Sequence, residues 1–350
     1  MIKQRETDSV KNFQEFIKKY KETIHSRISG YLPKERNFFY QEVIPSYVHR
    51  MGQYRRPSYV LLWTMLYNGD LEEAMLPAAI QQVSEDWILM HDDILDGNLV
   101  RRGGPSAHAQ FGIDYAIIGG DALHIIMWKM IKEATDSLGK IRGERYFNKV
   151  YDIMFRTSFG QYLDTRITTE IRDITKFTLQ DYYESIHAKS AYYTVYGPMQ
   201  CGAIVASADE ETINKIPEYG TPAGNAFQIR DDILDCTSTQ EVLGKSVGND
   251  VRDGAKTIIL WHAVQNASSA TLKKLVDTYK KSREDKSEEE VKFVLDTFRE
   301  LGSINYAMME ADRLVKDAQE RFNKVSKGIP EGPVKDMARD SISNTISRKK

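Results

Sequence analysis

Two short acidic segments contain the residues best suited to chemistry in this chain. The sequence DDILD occurs at residues 92–96 and again at 231–235. On a helix, the first and last aspartate of each segment project from one face, one turn apart. Such carboxylates repel each other unless a cation lies between them, and hard oxygen ligands suit Mg²⁺ that is shared with phosphate oxygens. The spacing therefore predicts two places where Mg²⁺ and a diphosphate could bind.

The residues around these segments support the same interpretation. Arg101 and Arg102 follow the first segment within one short turn, and a planar guanidinium matches a phosphate group. Gln228 lies one turn before the second segment, on the same helix face. Acidic helix faces are usually solvated, but here WILM precedes the first segment and AFQI lies just before the second. These apolar flanks favour a binding site over a solvated surface.

Helices are predicted to position these residues, because apolar residues recur at helical spacing almost throughout the chain. Ile80, Val83, Trp87, Met90 and Ile94 follow one another at steps of three and four and form one apolar stripe. Alternating patterns typical of strands are scarce, so we predict an all-α fold. The predicted helices are 8–28, 56–67, 74–96, 115–137, 144–166, 179–206, 211–235, 255–283, 288–299 and 304–326.

Composition limits the possible functions. The chain has 350 residues and a formal net charge of -2, which argues against nucleic acid as a partner. Its two cysteines form no framework, and the N-terminal residues lack a signal-peptide core, so a cytoplasmic protein is expected. No apolar run is long enough to span a membrane. With no linker of low complexity, we predict one domain over 1–350, with a polar and partly loose tail from about residue 324.

In combination, these motifs resemble those of the trans-isoprenyl diphosphate synthases, over about residues 50–265. DDILDGNLVRRG is similar to the first aspartate-rich motif of that family, and FQIRDDILD to the second. AKSA resembles the family's Lys-Thr pair, here Lys189 and Ser190. LGKSVGNDVRDGAKT resembles its lysine-bearing loop, with Lys245 in the expected place.

The resemblance implies a single large helical domain with a deep central cavity, whose mouth is flanked by the two aspartate motifs. Family members bind three Mg²⁺ with an allylic diphosphate and are usually homodimers. The allylic C–O bond ionises, isopentenyl diphosphate attacks the carbocation, and a proton is lost. The implied product is a short all-trans isoprenyl diphosphate, above all geranylgeranyl diphosphate.

The resemblance also implies a role for each matching residue. The metal ligands would be Asp92, Asp96 and Asp231. The outer-shell or water-mediated partners would be Asp93, Asp232 and Asp235. The cations that hold the allylic diphosphate would be Arg101, Lys189 and Lys245. Gln228 would orient that end of the site, and Arg102 would face the second substrate.

The acceptor side departs from the family pattern. GQYRRP at 52–57 keeps Gly52 and Arg56, but Gln53 replaces the family's lysine. Seven residues before the first motif, Glu85 replaces a histidine or glutamine, and it shares the helix face of Asp92. One interpretation is harmless drift, with compensation by Arg55, Arg56, Arg102 or the basic tail SRKK. The other is a changed acceptor: another isoprenoid, a monophosphate or an unusual bond connectivity. In the later loop, Ala255 replaces a family lysine, with Lys256 beside it.

Residues before the first motif would set product length in the family. Trp87 and Ile88 lie five and four residues before Asp92. Ser84, deeper in the expected pocket, has only a small side chain to block the growing product. This pattern indicates a product of about twenty carbons, with fifteen as the rival. Trp87 could equally be an ordinary core aromatic.

Three other functions have to be weighed against a synthase. A class I terpene cyclase would replace the second DDILD by an Asn-Asp/Ser/Glu pattern. NDVRDGAKT at 249–257 begins in that way, but Asp253 and Thr257 occupy the Ser and Glu positions. A regulatory subunit would have eroded aspartate motifs, and both are intact here. An irregular prenyl-coupling enzyme remains the main alternative, because only the acceptor side has changed.

Overall fold

The structure, a computed structural model, describes residues 10–237 and 248–344. Within these ranges the regular structure is helical except for one two-stranded antiparallel hairpin, β1 (Val100–Arg101) and β2 (Gly104–Pro105). In the hairpin, Val100 lies opposite Pro105. The prediction of an all-α fold is confirmed.

Sixteen α-helices are present among the described residues, and three of them have fewer than six residues. The helices before residue 200 are α1 (Phe13–Ser29), α2 (Ser46–His49), α3 (Arg55–Leu66), α4 (Leu71–Leu95), α5 (Ala107–Phe111), α6 (Ile113–Ser137), α7 (Gly139–Glu170), α8 (Leu179–Ile186) and α9 (Gly197–Val205). The later helices are α10 (Glu210–Thr237), α11 (Asn249–Asp253), α12 (Ile258–Asn266), α13 (Ser269–Tyr279), α14 (Glu288–Glu300), α15 (Ser303–Val325) and α16 (Pro333–Ser343). The π-helices are Phe39–Val43 and His187–Tyr196, and the 3-10 turns are Ile174–Lys176 and Ser326–Gly328.

The described chain forms two compact units. One comprises residues 10–152, 194–217 and 323–341, and the other comprises 153–193, 218–237, 248–322 and 342–344. The prediction of a single domain stays a prediction.

Helix α4 lies at the centre of the first unit, where it packs against α1, α3 and α6. Asp70 precedes its first residue and caps the helix, because the Asp70 side chain accepts a hydrogen bond from the Glu72 amide. Of its predicted apolar stripe, Ile80, Val83 and Met90 are buried. This burial fixes the helix whose last turn carries the first DDILD segment.

In the second unit, the π-helix that begins at His187, called the π-helix from here on, passes very close to two neighbouring helices. A Cβ on Gly160 of α7 would lie 2.4 Å from the Lys189 amide nitrogen, and a Cβ on Gly224 of α10 would lie 2.5 Å from the Ala191 Cα. Only glycine leaves enough room for this approach. The π-helix, which carries Lys189 and Ser190, is therefore packed tightly against the backbones of α7 and α10.

Three predictions of helix extent are corrected. The segment 179–206 is not one α-helix, because the π-helix interrupts it. The segment 255–283 is divided at Ser268, whose side chain accepts from the Thr271 amide and starts a new helix. As far as residue 344, the tail after residue 324 is not loose, because α16 forms there and buries Met337, Ala338 and Ile342, while residues 345–350 lie outside the described residues. None of the described helices is both long and apolar enough to cross a bilayer.

Candidate active site

The first DDILD segment ends helix α4. Asp92 and Asp96 are both half-buried, and the Asp96 amide donates to the Asp92 carbonyl at 2.9 Å, so helical geometry continues through the segment. The two carboxylates therefore project from one face, as predicted. A helix C-terminus carries partial negative charge, which further disfavours two carboxylates there without a cation.

Asp93, between them, is completely buried and serves as an anchor. It accepts a hydrogen bond from the Tyr47 hydroxyl at 2.5 Å, and both of its oxygens lie 3.0 Å from Arg101 Nε. The same Tyr47 hydroxyl accepts from the Ala107 amide at 3.0 Å. Burial alone would lower the pKa of Arg101, but its contacts with Asp93 raise it. Asp93 thus ties the end of α4 to the arginine-bearing hairpin.

A partly buried ion cluster occupies the predicted acceptor side. Glu85 lies 3.1 Å from Arg56 and 3.6 Å from Arg102, and Asp86 lies 2.8 Å from Arg102. Burial would raise the pKa of Glu85, but the two arginines hold it below its usual value. For Asp86, burial dominates and raises the pKa to about 6. Gln53, where the family has a lysine, is exposed.

The loop that carries Gln53 is strained and closely packed. Met51 and Tyr54 have φ values of 45° and 57°, in the left-handed region that non-glycine residues rarely adopt. A Cβ on Gly52 would lie 2.7 Å from Arg102 Nη2. Arg102 also donates to the Tyr47 carbonyl at 2.6 Å. The Arg102 guanidinium therefore packs directly over Gly52 and is bound by α2 through the Tyr47 carbonyl.

The residues predicted to set product length lie on α4. Trp87 is half-buried, and its ring centroid lies 4.5 Å from His124 and 5.8 Å from His91. Ile88 is half-buried, whereas Ser84 is buried and its hydroxyl donates to the Gln81 carbonyl at 2.8 Å. Trp87 thus packs against α6, which agrees with either a pocket floor or a core aromatic.

The second DDILD segment lies on α10 and is built in a similar way. Asp231 is half-buried. Asp232 is buried and accepts hydrogen bonds from the Tyr182 hydroxyl at 2.7 Å and from Gln228 Nε2 at 2.9 Å. Burial raises the pKa of Asp232. Asp235 is buried and accepts from the Asp250 amide at 3.0 Å. In both segments the second aspartate is thus an anchor held by a tyrosine.

The π-helix brings further predicted residues to the second segment. Ser190 donates to Gln228 Oε1 at 2.6 Å, and Gln228 in turn donates to Asp232. Lys189 forms an ion pair with Asp164 at 2.7 Å. Lys256 donates to the carbonyls of Thr168 and Gly254, and burial lowers its pKa to about 8. Lys245 lies outside the described residues.

Aspartate oxygens are the hard donors that Mg²⁺ prefers, and Mg²⁺ commonly uses one or two carboxylates together with phosphates and water. The chemistry of the predicted ligands therefore fits this ion. Among the described residues, no three His, Cys, Asp or Glu side chains lie close enough to hold a metal by themselves.

Several contact residues were missed in the sequence analysis. Tyr47 and Tyr182 anchor the second aspartates from 46 and 50 residues away. Asp86 and His124 have no motif of their own. The only sequence signal was the enrichment in tyrosine near Tyr182, which does not identify a partner.

Comparison with known proteins identifies the family. The polyprenyl synthetase profile matches residues 38–298. The geranylgeranyl diphosphate synthase of Sulfolobus acidocaldarius is 30% identical over 94% of this chain and 97% of its own length. The geranylfarnesyl diphosphate synthase of Aeropyrum pernix is 31% identical over 78% of this chain and 84% of its own.

A solved structure agrees in fold. The geranylgeranyl pyrophosphate synthase of Corynebacterium glutamicum, complexed with isoprenyl diphosphate and magnesium, matches with a TM-score of 0.84 at 22% identity, over 97% of this chain and 100% of that chain. The comparisons do not favour a terpene cyclase, a regulatory subunit or an irregular coupling enzyme. The chain belongs to the polyprenyl synthetase family, and the predicted prenyltransferase activity is confirmed.

Proposed function

We propose that this chain joins an allylic diphosphate to isopentenyl diphosphate and makes a short all-trans isoprenyl diphosphate. The observation that carries the proposal is the shared construction of the two DDILD segments. In each, the first aspartate is half-buried, and the second is buried and held by a tyrosine hydroxyl. Repeated pairs of supported carboxylates are suited to a ligand that brings its own phosphates.

The proposed metal is Mg²⁺, three ions when a diphosphate is bound, with Asp92, Asp96 and Asp231 as ligands. When bound, the ions would offset the negative charge that develops on the leaving diphosphate. Asp93, Asp232 and Asp235 would hold the ligand-bearing turns in position through the contacts described above. This arrangement would keep the metal ligands oriented without using all carboxylates as ligands.

Cationic residues of the chain would bind the two substrates. Arg101, Lys189 and Lys245 are proposed to hold the allylic diphosphate, with Gln228 and Ser190 orienting that end of the site. Arg56 and Arg102 are proposed to hold the isopentenyl diphosphate. The allylic C–O bond breaks, the isopentenyl double bond forms the new C–C bond, and the departing diphosphate takes the proton. An apolar pocket is needed to keep water from the carbocation.

Geranylgeranyl diphosphate is the proposed product. Trp87 packs against His124 and His91 on one side of α4, and a floor of this kind would stop a growing chain. Ile88 and Ser84 would shape the same pocket. Twenty carbons is the length that this bulk favours, with fifteen as the rival.

A homodimer in the cytoplasm is also proposed. Five exposed aromatic side chains follow along α7 at steps of three or four, which is the spacing of one helix face. They are Phe147, Tyr151, Phe155, Phe159 and Tyr162. An apolar face of this kind suits a second copy of the chain. Cys201 and Cys236 are buried free thiols, which agrees with a reducing compartment.

The test is a product assay. Purified protein with Mg²⁺ is incubated with labelled isopentenyl diphosphate and an allylic diphosphate of five, ten or fifteen carbons, and the dephosphorylated products are sized. Elongation to one length supports the proposal, whereas absence of incorporation contradicts it. Asp92→Ala and Asp231→Ala are the control variants, and each should reduce turnover by orders of magnitude without unfolding the protein.

A further inference from the structure

Glu85 already occupies the two arginines proposed to bind the acceptor. Its carboxylate oxygens lie 3.1 Å from Arg56 Nη1 and 3.6 Å from Arg102 Nη2. One carboxylate thus spans two cations, as a phosphate group would. An acceptor diphosphate has to compete with this side chain.

Each of the two arginines already contacts a carboxylate without any ligand. Arg102 contacts Asp86 as well as Glu85, so Arg56 and Arg102 meet two carboxylates. Gln53 adds no positive charge where the family has a lysine. An incoming diphosphate therefore finds arginines that are already paired with carboxylates, and it brings further negative charge to a partly buried site. Movement of one carboxylate away from the arginines would make that binding more favourable.

Glu85 is the carboxylate that can leave. Its side chain is 16% exposed, whereas that of Asp86 is 1% exposed. Gln82 donates to Asp86 at 2.9 Å and also contacts Glu85, so the difference in exposure is what distinguishes the two carboxylates. Rotation of a glutamate side chain toward solvent needs no backbone movement. Asp86 would stay in contact with Arg102 and keep its guanidinium oriented toward the acceptor diphosphate.

We propose that Glu85 determines acceptor specificity by acting as an internal counterion that the acceptor diphosphate must displace from Arg56 and Arg102. This inference rests on the proposed function, because it assumes that these arginines bind the acceptor. It implies weak acceptor binding that becomes tighter when the Glu85 charge is removed. The gain should be larger for an acceptor with more negative charge.

The test uses Glu85→Gln, which keeps the side-chain shape and removes the charge. Binding of isopentenyl diphosphate is measured by calorimetry in the presence of Mg²⁺ and without allylic substrate, and isopentenyl monophosphate is measured alongside. A unit charge about 6 Å away changes affinity by about threefold to a hundredfold, for effective dielectric constants between 80 and 20. We expect about tenfold tighter binding of the diphosphate and a smaller gain for the monophosphate.

A matched control is available on the same helix. Glu73 also pairs with an arginine, Arg142, at 2.6 Å, and it lies three turns away from Glu85. Glu73→Gln should leave both affinities as in the wild type. Glu85→Ala is a second test, because it removes the same charge and should also tighten diphosphate binding. Circular dichroism checks that each variant is folded.

Two results would overturn the inference. The first is that Glu85→Gln binds isopentenyl diphosphate no more tightly than the wild type does. The second is that its affinity rises by the same factor for the diphosphate and the monophosphate. The KM of the allylic diphosphate should not change, because a general structural effect would move it too. Failure of the proposed function is distinguishable: the wild type would then bind isopentenyl diphosphate without condensing it, while the effect of Glu85→Gln on binding would persist.

Discussion

Replacement of Tyr47 by phenylalanine tests whether Asp93 is an anchor for the first aspartate segment. Tyr47 is completely buried, and its hydroxyl donates to Asp93 at 2.5 Å while accepting from the Ala107 amide at 3.0 Å. Phenylalanine retains the ring and its packing. The substitution therefore removes two hydrogen bonds and little else.

The expected cost follows from these two contacts. A hydrogen bond to a charged group contributes about 1.5–3 kcal/mol, and a buried amide left without a partner costs about 1–3 kcal/mol. Because Arg101 still contacts both oxygens of Asp93, we expect the free energy of unfolding to fall by a total near the lower end of these ranges, about 3 kcal/mol. The hairpin that carries Arg101 should also become less ordered, and the KM of the allylic diphosphate should rise.

The assay combines urea unfolding with steady-state kinetics. Tyr59→Phe is the matched control, since Tyr59 is also completely buried and its hydroxyl contacts the Ser341 carbonyl at the longer distance of 3.4 Å. The free energy of unfolding of that variant should fall by less than about 1 kcal/mol, and its kcat and KM should stay as in the wild type. Equal losses in the two variants, or an unchanged allylic KM in Tyr47→Phe, would refute the anchoring role.

Two further predictions concern α4. Burial raises the pKa of Asp86 to about 6 from its usual 3.8, so the folded protein binds an extra proton at this residue between these values. The contribution of Asp86 to the free energy of unfolding should therefore fall by about 3 kcal/mol as pH rises from about 4 to about 6. Asp86→Asn should flatten that slope in urea unfolding at several pH values, and an unchanged slope would contradict the pKa shift. Trp87→Ala should lengthen the product, because removal of the indole opens the pocket floor. Product sizing checks this, and an unchanged length would make Trp87 a core residue. The control is Trp261→Ala on α12, where the Trp261 ring centroid lies 6.0 Å from that of Tyr306.

The spacing of residues in the sequence was enough to predict that the aspartates of the first segment share one helix face. Asp92 and Asp96 share a face because the interval of four residues is fixed by helix geometry. The position of Glu85 on the same helix face followed from the same reasoning, whereas compensation by Arg55, Arg56, Arg102 or the basic tail was one of two interpretations left open. Sequence spacing alone could not show that Glu85 contacts both arginines, since those contacts depend on how α3, α4 and the hairpin pack.

The tyrosine anchors and the helix breaks could not be predicted, for different reasons. Tyr47 and Tyr182 meet their aspartates through tertiary packing, and a tyrosine in the sequence shows no partner. The π-helix depends on the close approach allowed by Gly160 and Gly224, which lie on other helices. The break at Ser268 was predictable in principle, because serine is a favoured N-cap residue.

The most direct measurement of the central claim is condensation itself. Purified protein with Mg²⁺, labelled isopentenyl diphosphate and the fifteen-carbon allylic diphosphate should yield one product of twenty carbons. Asp92→Ala and Asp231→Ala, shown to be folded, should yield almost none. Undiminished turnover in either aspartate variant, or no incorporation by the wild type with any allylic diphosphate of five, ten or fifteen carbons, would contradict the account.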